Sequence, residues 1–208
     1  MVPATTRSRQ GDVVDETDFD ALYRGNPDPF GVEDRWYEQR KQQVLLASLG
    51  QRRYRLAWDC ASGTGHLSAA LAERCDSVLA TDAAPTAVEL TRKRCRGADV
   101  ECEVSRLPTF PDPATRADLT VVPEVLYYLP DEPRATTVAR LARQRGELVV
   151  ITWRHHPDDA HISGSASVEE LDAALVDADW GRTVRHDDQD FVLAIWTTAS
   201  PSTATGTG

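Results

Sequence analysis

Residues 56–67, LAWDCASGTGHL, limit the fold more than any other stretch of the chain. An apolar run passes through a turn of small residues into a helical pattern, the kind of junction at which an α/β sheet binds a nucleotide-like ligand. Gly63 and Gly65 supply turn conformations closed to other residues, and their missing side chains let a ligand lie against the backbone. A second strand is expected over 77–82. It ends in Asp82, roughly 20 residues past the glycines, where a carboxylate accepts hydrogen bonds from both ribose hydroxyls. A dinucleotide fingerprint would need glycine where Ser68 stands, which weighs against an NAD-binding oxidoreductase.

Strand-like and helix-like patterns alternate from residue 54 onward, the signature of a parallel sheet covered on both faces. Strands are expected near 55–59, 77–82, 99–104, 118–122, 146–153, 182–187 and 190–196. Helices are expected near 65–74, 85–96, 132–143 and 167–178. Pro133 suits a helix start, and Ser167 with Glu170 reads as a capping box. The turn Asp187-Asp188-Gln189 makes the last two strands a hairpin. Ahead of the sheet, Pro27 and Pro29 divide residues 19–49 into a short helix and a longer one starting near Val32. Tyr37, Arg40, Val44 and Ser48 fall on one face of the longer helix. Trp36 and Lys41 lie beside that face, where the charge of Lys41 is expected in solvent.

At 208 residues the chain suits one substantial core and is too short for two ordinary domains. A single domain over 18–198 is expected, with a helical cover over 18–50 and an α/β core over 51–198. Residues 1–17 and 199–208 are expected to be disordered. With a net charge of −10 and no basic stripe, nucleic acid is not an expected partner. No apolar run approaches the ~20 residues of a membrane span and no signal-peptide core is visible, so a cytoplasmic protein without membrane attachment is expected. Cys60, Cys75, Cys95 and Cys102 lack C-x-x-C spacing and read as buried reduced thiols. No metal site is expected. The sequence does not set the oligomeric state.

The segment Asp59-x-Ala61-x-Gly63-x-Gly65 resembles motif I of the class I S-adenosylmethionine (SAM) methyltransferases, with alanine at the first of three small positions. Three further segments are similar to the nodulation protein S (NodS) branch of that family: Tyr23 to Phe30 (YRGNPDPF), Trp36 to Lys41 (WYEQRK) and Glu124 to Leu129 (EVLYYL). The resemblance spans about residues 19–196. It implies a Rossmann-like sheet of seven strands in the order 3-2-1-4-5-7-6, SAM as cofactor, and Asp59 near its methionine end. The branch prototype N-methylates the free amine of a deacetylated chitooligosaccharide.

Methyl transfer from a sulfonium is an in-line displacement, so the protein must chiefly hold the acceptor aligned, and an amine must also shed its proton. The expected cofactor set is Tyr37, Arg40, Asp59, Ala61, Gly63, Gly65, Asp82, Ala83, Ser105 and Glu124, with Arg40 offering its guanidinium to the SAM carboxylate. Many class I enzymes carry an adenine-binding aspartate near positions 105 and 106. Arg106 cannot accept a hydrogen bond, so Ser105 or a backbone carbonyl is expected there. The expected catalytic set is Glu124 and His155, with Tyr127 and Tyr128 walling the methyl channel; His156 shares the loop of His155. The leading expectation is a SAM-dependent methyltransferase acting on a small polar or glycosylated amine, an amino sugar or another natural product. The alternatives are an O-methyltransferase of a hydroxylated natural product and a non-catalytic SAM-binding protein.

Overall fold

A computed structural model describes residues 17–198 of the chain. Seven strands form one sheet: β1 Tyr54–Asp59, β2 Cys75–Asp82, β3 Val100–Val104, β4 Leu119–Pro123, β5 Glu147–Trp153, β6 Trp180–Asp187 and β7 Phe191–Thr198. Their order is β3-β2-β1-β4-β5-β7-β6, as expected. The first five run parallel, and β7 lies antiparallel to both β5 and β6. The helices are α1 Phe19–Gly25, α2 Trp36–Ser48, α3 His66–Ala72, α4 Pro85–Arg94, α5 Asp131–Leu141 and α6 Gly164–Asp177.

The central strands read as unbroken apolar runs because both of their faces are covered. Successive side chains point to opposite faces, so Val122, Leu148 and Val150 join a core with Trp58, Leu171 and Trp196, while Val121, Val149 and Ile151 join another with Leu45, Leu71 and Phe191. Leu45 brings α2 onto the second face. The end of α2 is pinned by buried Glu147, which accepts hydrogen bonds from the Gly50 amide at 3.0 Å and the Tyr54 hydroxyl at 2.9 Å.

The expected boundaries shift most at two helix starts. The longer preface helix begins at Trp36 rather than Val32, because the Asp28 carboxylate accepts the amides of Val32 and Glu33 and Gly31 turns the chain at φ +69°. Helix α6 begins at Gly164, capped by Ser163, whose hydroxyl accepts the Ala166 amide. Ser167 therefore sits inside the first turns, buried and bonded to the Gly164 carbonyl, while Glu170 pairs with Arg134; they form no capping box. Position 164 admits only glycine, since an added Cβ would lie 1.7 Å from the Trp153 carbonyl oxygen. Thr17 is ordered at the start of the cover, and its hydroxyl donates to Asp159 at 2.8 Å. The rest of the two segments expected to be disordered lies outside the described residues. Among those described, no helix is long and apolar enough to cross a membrane.

Candidate functional site

A cavity of about 850 Å³ opens at the C-terminal ends of the five parallel strands and is roofed by α1 and α2. Its floor is the turn 60–64. Gly65 stands at φ +79°, and a Cβ there would meet the Thr91 backbone at 2.8 Å, so α3 and α4 approach closely only because this residue is glycine. Gly63 stands at φ +53°, and its carbonyl accepts the Thr91 hydroxyl at 2.9 Å.

Asp82 and Ala83 line the cavity beside this turn, with Ser105 and Arg106 following β3 along the same wall. One Asp82 oxygen accepts the Gly63 amide and the other the Ala84 amide, both at 2.9 Å. Burial raises the Asp82 pKa, and these backbone donors oppose the rise. Asp59 is fully buried and is not a cavity wall. It accepts the Ser68 hydroxyl at 2.6 Å, its other oxygen has no partner among the described residues, and burial pushes its pKa up to about 7. The expected direct cofactor contact of Asp59 is thus corrected to a role behind the turn. Ser68, where a dinucleotide fingerprint would need glycine, holds this carboxyl group through its hydroxyl.

Glu124 follows β4 at φ +50°, a left-handed conformation that costs a non-glycine residue roughly 1–3 kcal/mol. Its side chain explains why the fold tolerates it. One oxygen accepts the Trp153 amide at 2.7 Å, the Tyr127 hydroxyl at 2.8 Å and, more weakly, the Thr152 hydroxyl at 3.5 Å. The other pairs with the Lys41 ammonium. Glu124 lines the cavity, as expected, yet both of its oxygens are committed. Tyr127 is held beneath it, and Tyr128 lies beside Tyr127 with ring centroids 4.5 Å apart.

Along α2 the cation that enters the cavity is Lys41, not Arg40, with Arg35 at the helix cap also in the wall. Lys41 is 7% exposed and bridges Glu124 and Glu38, the latter at 2.8 Å, with its ammonium 4.8 Å from the centroid of the Tyr37 ring. Burial lowers its pKa, but the two carboxylates outweigh burial and the net shift is upward. Arg40 lies outside the cavity walls, because its neighbour on the helix claims the inward direction and Asp188 holds the guanidinium at 2.5 Å over the Phe191 ring. Tyr37 does line the cavity, and its buried hydroxyl has no partner among the described residues. His155 is exposed beside Trp153 and is likewise not brought to the cavity. In its place the loop after β5 contributes His161, whose amide donates to the Tyr127 carbonyl at 2.9 Å. His156 caps its own loop, 2.9 Å from the Ala160 carbonyl. Glu38, Tyr23, His161 and Asp190 are wall residues that were not assigned from the sequence. For Lys41 and Glu38 a signal exists: Tyr37, Lys41 and Leu45 recur at helical spacing, one step around from the face chosen.

A methyltransferase domain family model matches residues 57–145. Over 106 residues the chain is 33% identical to nodulation protein S of Rhizobium tropici, covering 50% of this chain and 44% of that relative. The match thus spans less than half the length of that curated relative. Among solved structures, a protein of Pseudomonas syringae assigned as a methyltransferase is 34% identical, with a TM-score of 0.66 over 78% of this chain and 99% of that one. The N-methyltransferase NodS of Bradyrhizobium japonicum WM9, solved with S-adenosyl-L-homocysteine, is 23% identical with a TM-score of 0.71, covering 86% and 97%. The chain belongs to the class I SAM-dependent methyltransferases, and over the matched residues it is similar to nodulation protein S.

The residues present fit that family's cofactor. The Asp82 carboxylate faces the cavity with lone pairs beyond those its two amide donors use, the glycine turn leaves the backbone uncovered, and Tyr37 presents an unmatched buried hydroxyl.

Proposed function

We propose that this chain transfers the methyl group of SAM to a small polar amine, such as an amino sugar. Bound SAM supplies a methyl group on a positively charged sulfur. Asp82 is assigned to the ribose hydroxyls, the 61–65 turn and Tyr37 to the amino-acid end, and Ser105 to the adenine side. Glu124 holds Lys41, Tyr127 and the start of the β5 loop in fixed relation, so that the methyl-accepting end of the cavity keeps its shape.

The observation that carries the amine reading is the character of the cavity wall. Glu38, Asp159 and Asp190 line it together with Phe19, Tyr128 and Trp153, beside Arg35 and Arg106, and the buried Lys41 ammonium in the wall is already paired with two carboxylates. Carboxylates set among low-dielectric walls concentrate a cation, and aromatic faces add to the attraction. An acceptor bearing only hydroxyl groups would gain neither. Incubating the protein with SAM and a matched panel of amino sugars, simple amines and hydroxylated aromatics tests the reading by product mass and NMR. Methylation at nitrogen is expected; products carrying the methyl only on oxygen would overturn the amine assignment and leave the methyltransferase assignment standing.

A further inference from the structure

Resting on the amine reading, we propose that Glu38, one helical turn before Lys41 on α2, is the group that receives the acceptor's proton. An amine that arrives as an ammonium has no lone pair to form a bond, so a positioned base has to free it. Glu124 is poorly suited to that task. Its first oxygen accepts from Trp153, Tyr127 and Thr152, and its second holds Lys41. Protonating it would weaken several of these bonds at once and leave a buried ammonium short of a partner.

Glu38 has the complementary arrangement. It lines the same cavity, its side chain is 15% exposed, and its Oε2 pairs with Lys41 at 2.8 Å, while its other oxygen has no hydrogen bond among the described residues. The charged groups bearing on it are Lys41 on its own helix, Arg35 at the helix cap and Glu124 from the loop after β4; Asp190, ahead of β7, lines the same cavity. Burial dominates this balance and raises the Glu38 pKa despite Lys41. Desolvation pulls the pKa of an entering ammonium down while the carboxylates around it pull it up, so the proton needs a positioned acceptor.

In the step, an N–H bond of the acceptor ammonium breaks and the proton passes to the uncommitted oxygen of Glu38. The electron pair left on nitrogen forms the bond to the methyl carbon. The carbon–sulfur bond breaks with its pair going to sulfur, which becomes a neutral thioether while the methylated nitrogen carries the positive charge. Glu38 returns its proton to water once the product has left.

The test uses the full chain, an amine that the wild type methylates, and Glu38→Gln beside Glu38→Asp. Glu38→Gln is expected to lower kcat by roughly 10²–10⁴, with S-adenosylhomocysteine affinity by calorimetry unchanged. Its pH profile should lose the acid limb set by Glu38 and climb with pH as the free amine accumulates. Glu38→Asp keeps the charge beside Lys41 but withdraws the oxygen, so it should recover part of the rate and retain an acid limb. Wild-type kcat and pH profile in either variant would overturn the assignment while leaving the amine reading intact. A wild type that binds S-adenosylhomocysteine yet methylates no amine overturns both.

Discussion

The floor and the roof of the cavity are built on different principles. The floor is built on backbone: the Gly63 amide donates to the Asp82 carboxylate at the end of the adjacent strand, and the Gly63 carbonyl accepts the Thr91 hydroxyl. The roof is side chain: α2 is fastened through Lys41 to a glutamate 83 positions away and through Arg40 to the β6–β7 turn. A floor of this kind changes shape little when its ligand binds. A roof held by ion pairs has discrete attachments that single substitutions can remove, and its inward face depends on which residue of the helix claims the interior.

The sharpest way to break this contrast is to remove the roof's buried cation. Lys41→Met leaves Glu124 and Glu38 without their shared counterion and should cost about 3–5 kcal/mol, the usual loss when a buried pair is halved. Urea denaturation measures it. A loss below 1 kcal/mol would mean that water reaches these carboxylates freely.

The floor has its own signature in pH. The Asp59 pKa is raised from 3.8 to about 7 by burial, so the folded state binds a proton more tightly than the unfolded chain does. The contribution is fully present below about pH 4 and is lost as pH rises toward 7. Asp59→Asn, which mimics the neutral form, should therefore lack this decline and gain on the wild type by a few kcal/mol between about pH 4 and 7. Parallel stability–pH curves for the two proteins would contradict the neutral buried carboxyl.

Ligand binding separates floor from roof next. Asp82→Ala should weaken S-adenosylhomocysteine binding by about 1–3 kcal/mol, the cost of stranding two polar partners, with the fold retained. Calorimetry decides this, and unchanged affinity in the folded variant would remove the ribose assignment.

The smallest effect is expected at Arg40→Ala, because that guanidinium points at Asp188 outside the cavity. Cofactor affinity should match the wild type, and the melting temperature should shift only slightly. A large loss of S-adenosylhomocysteine affinity would return Arg40 to the role first read for it.

The strand-turn-helix floor was legible in the sequence because its signals are local. Apolar runs, two glycines and an acid at the end of the next strand are contiguous features, and the order of the seven strands followed from the resemblance they supported. Start positions were less legible, since Asp28 and Ser163 cap turns through side-chain bonds that compete with propensity. The roof was misread by one residue. Adjacent positions on a helix differ by about 100° in direction, so choosing Arg40 over Lys41 sent the wrong cation into the cavity. Periodicity alone could not choose, because α2 is not strongly amphipathic and its inward face carries Glu38 and Lys41 along with Leu45. Likewise His155 and His161 belong to one loop, and only its packing against the Tyr127 carbonyl put His161 in the wall. Residue types and their periods determine which elements form and where backbone meets ligand. Long-range packing decides which side chains share the cavity, because the desolvation that makes a buried lysine stay only beside carboxylates exists once the elements are assembled.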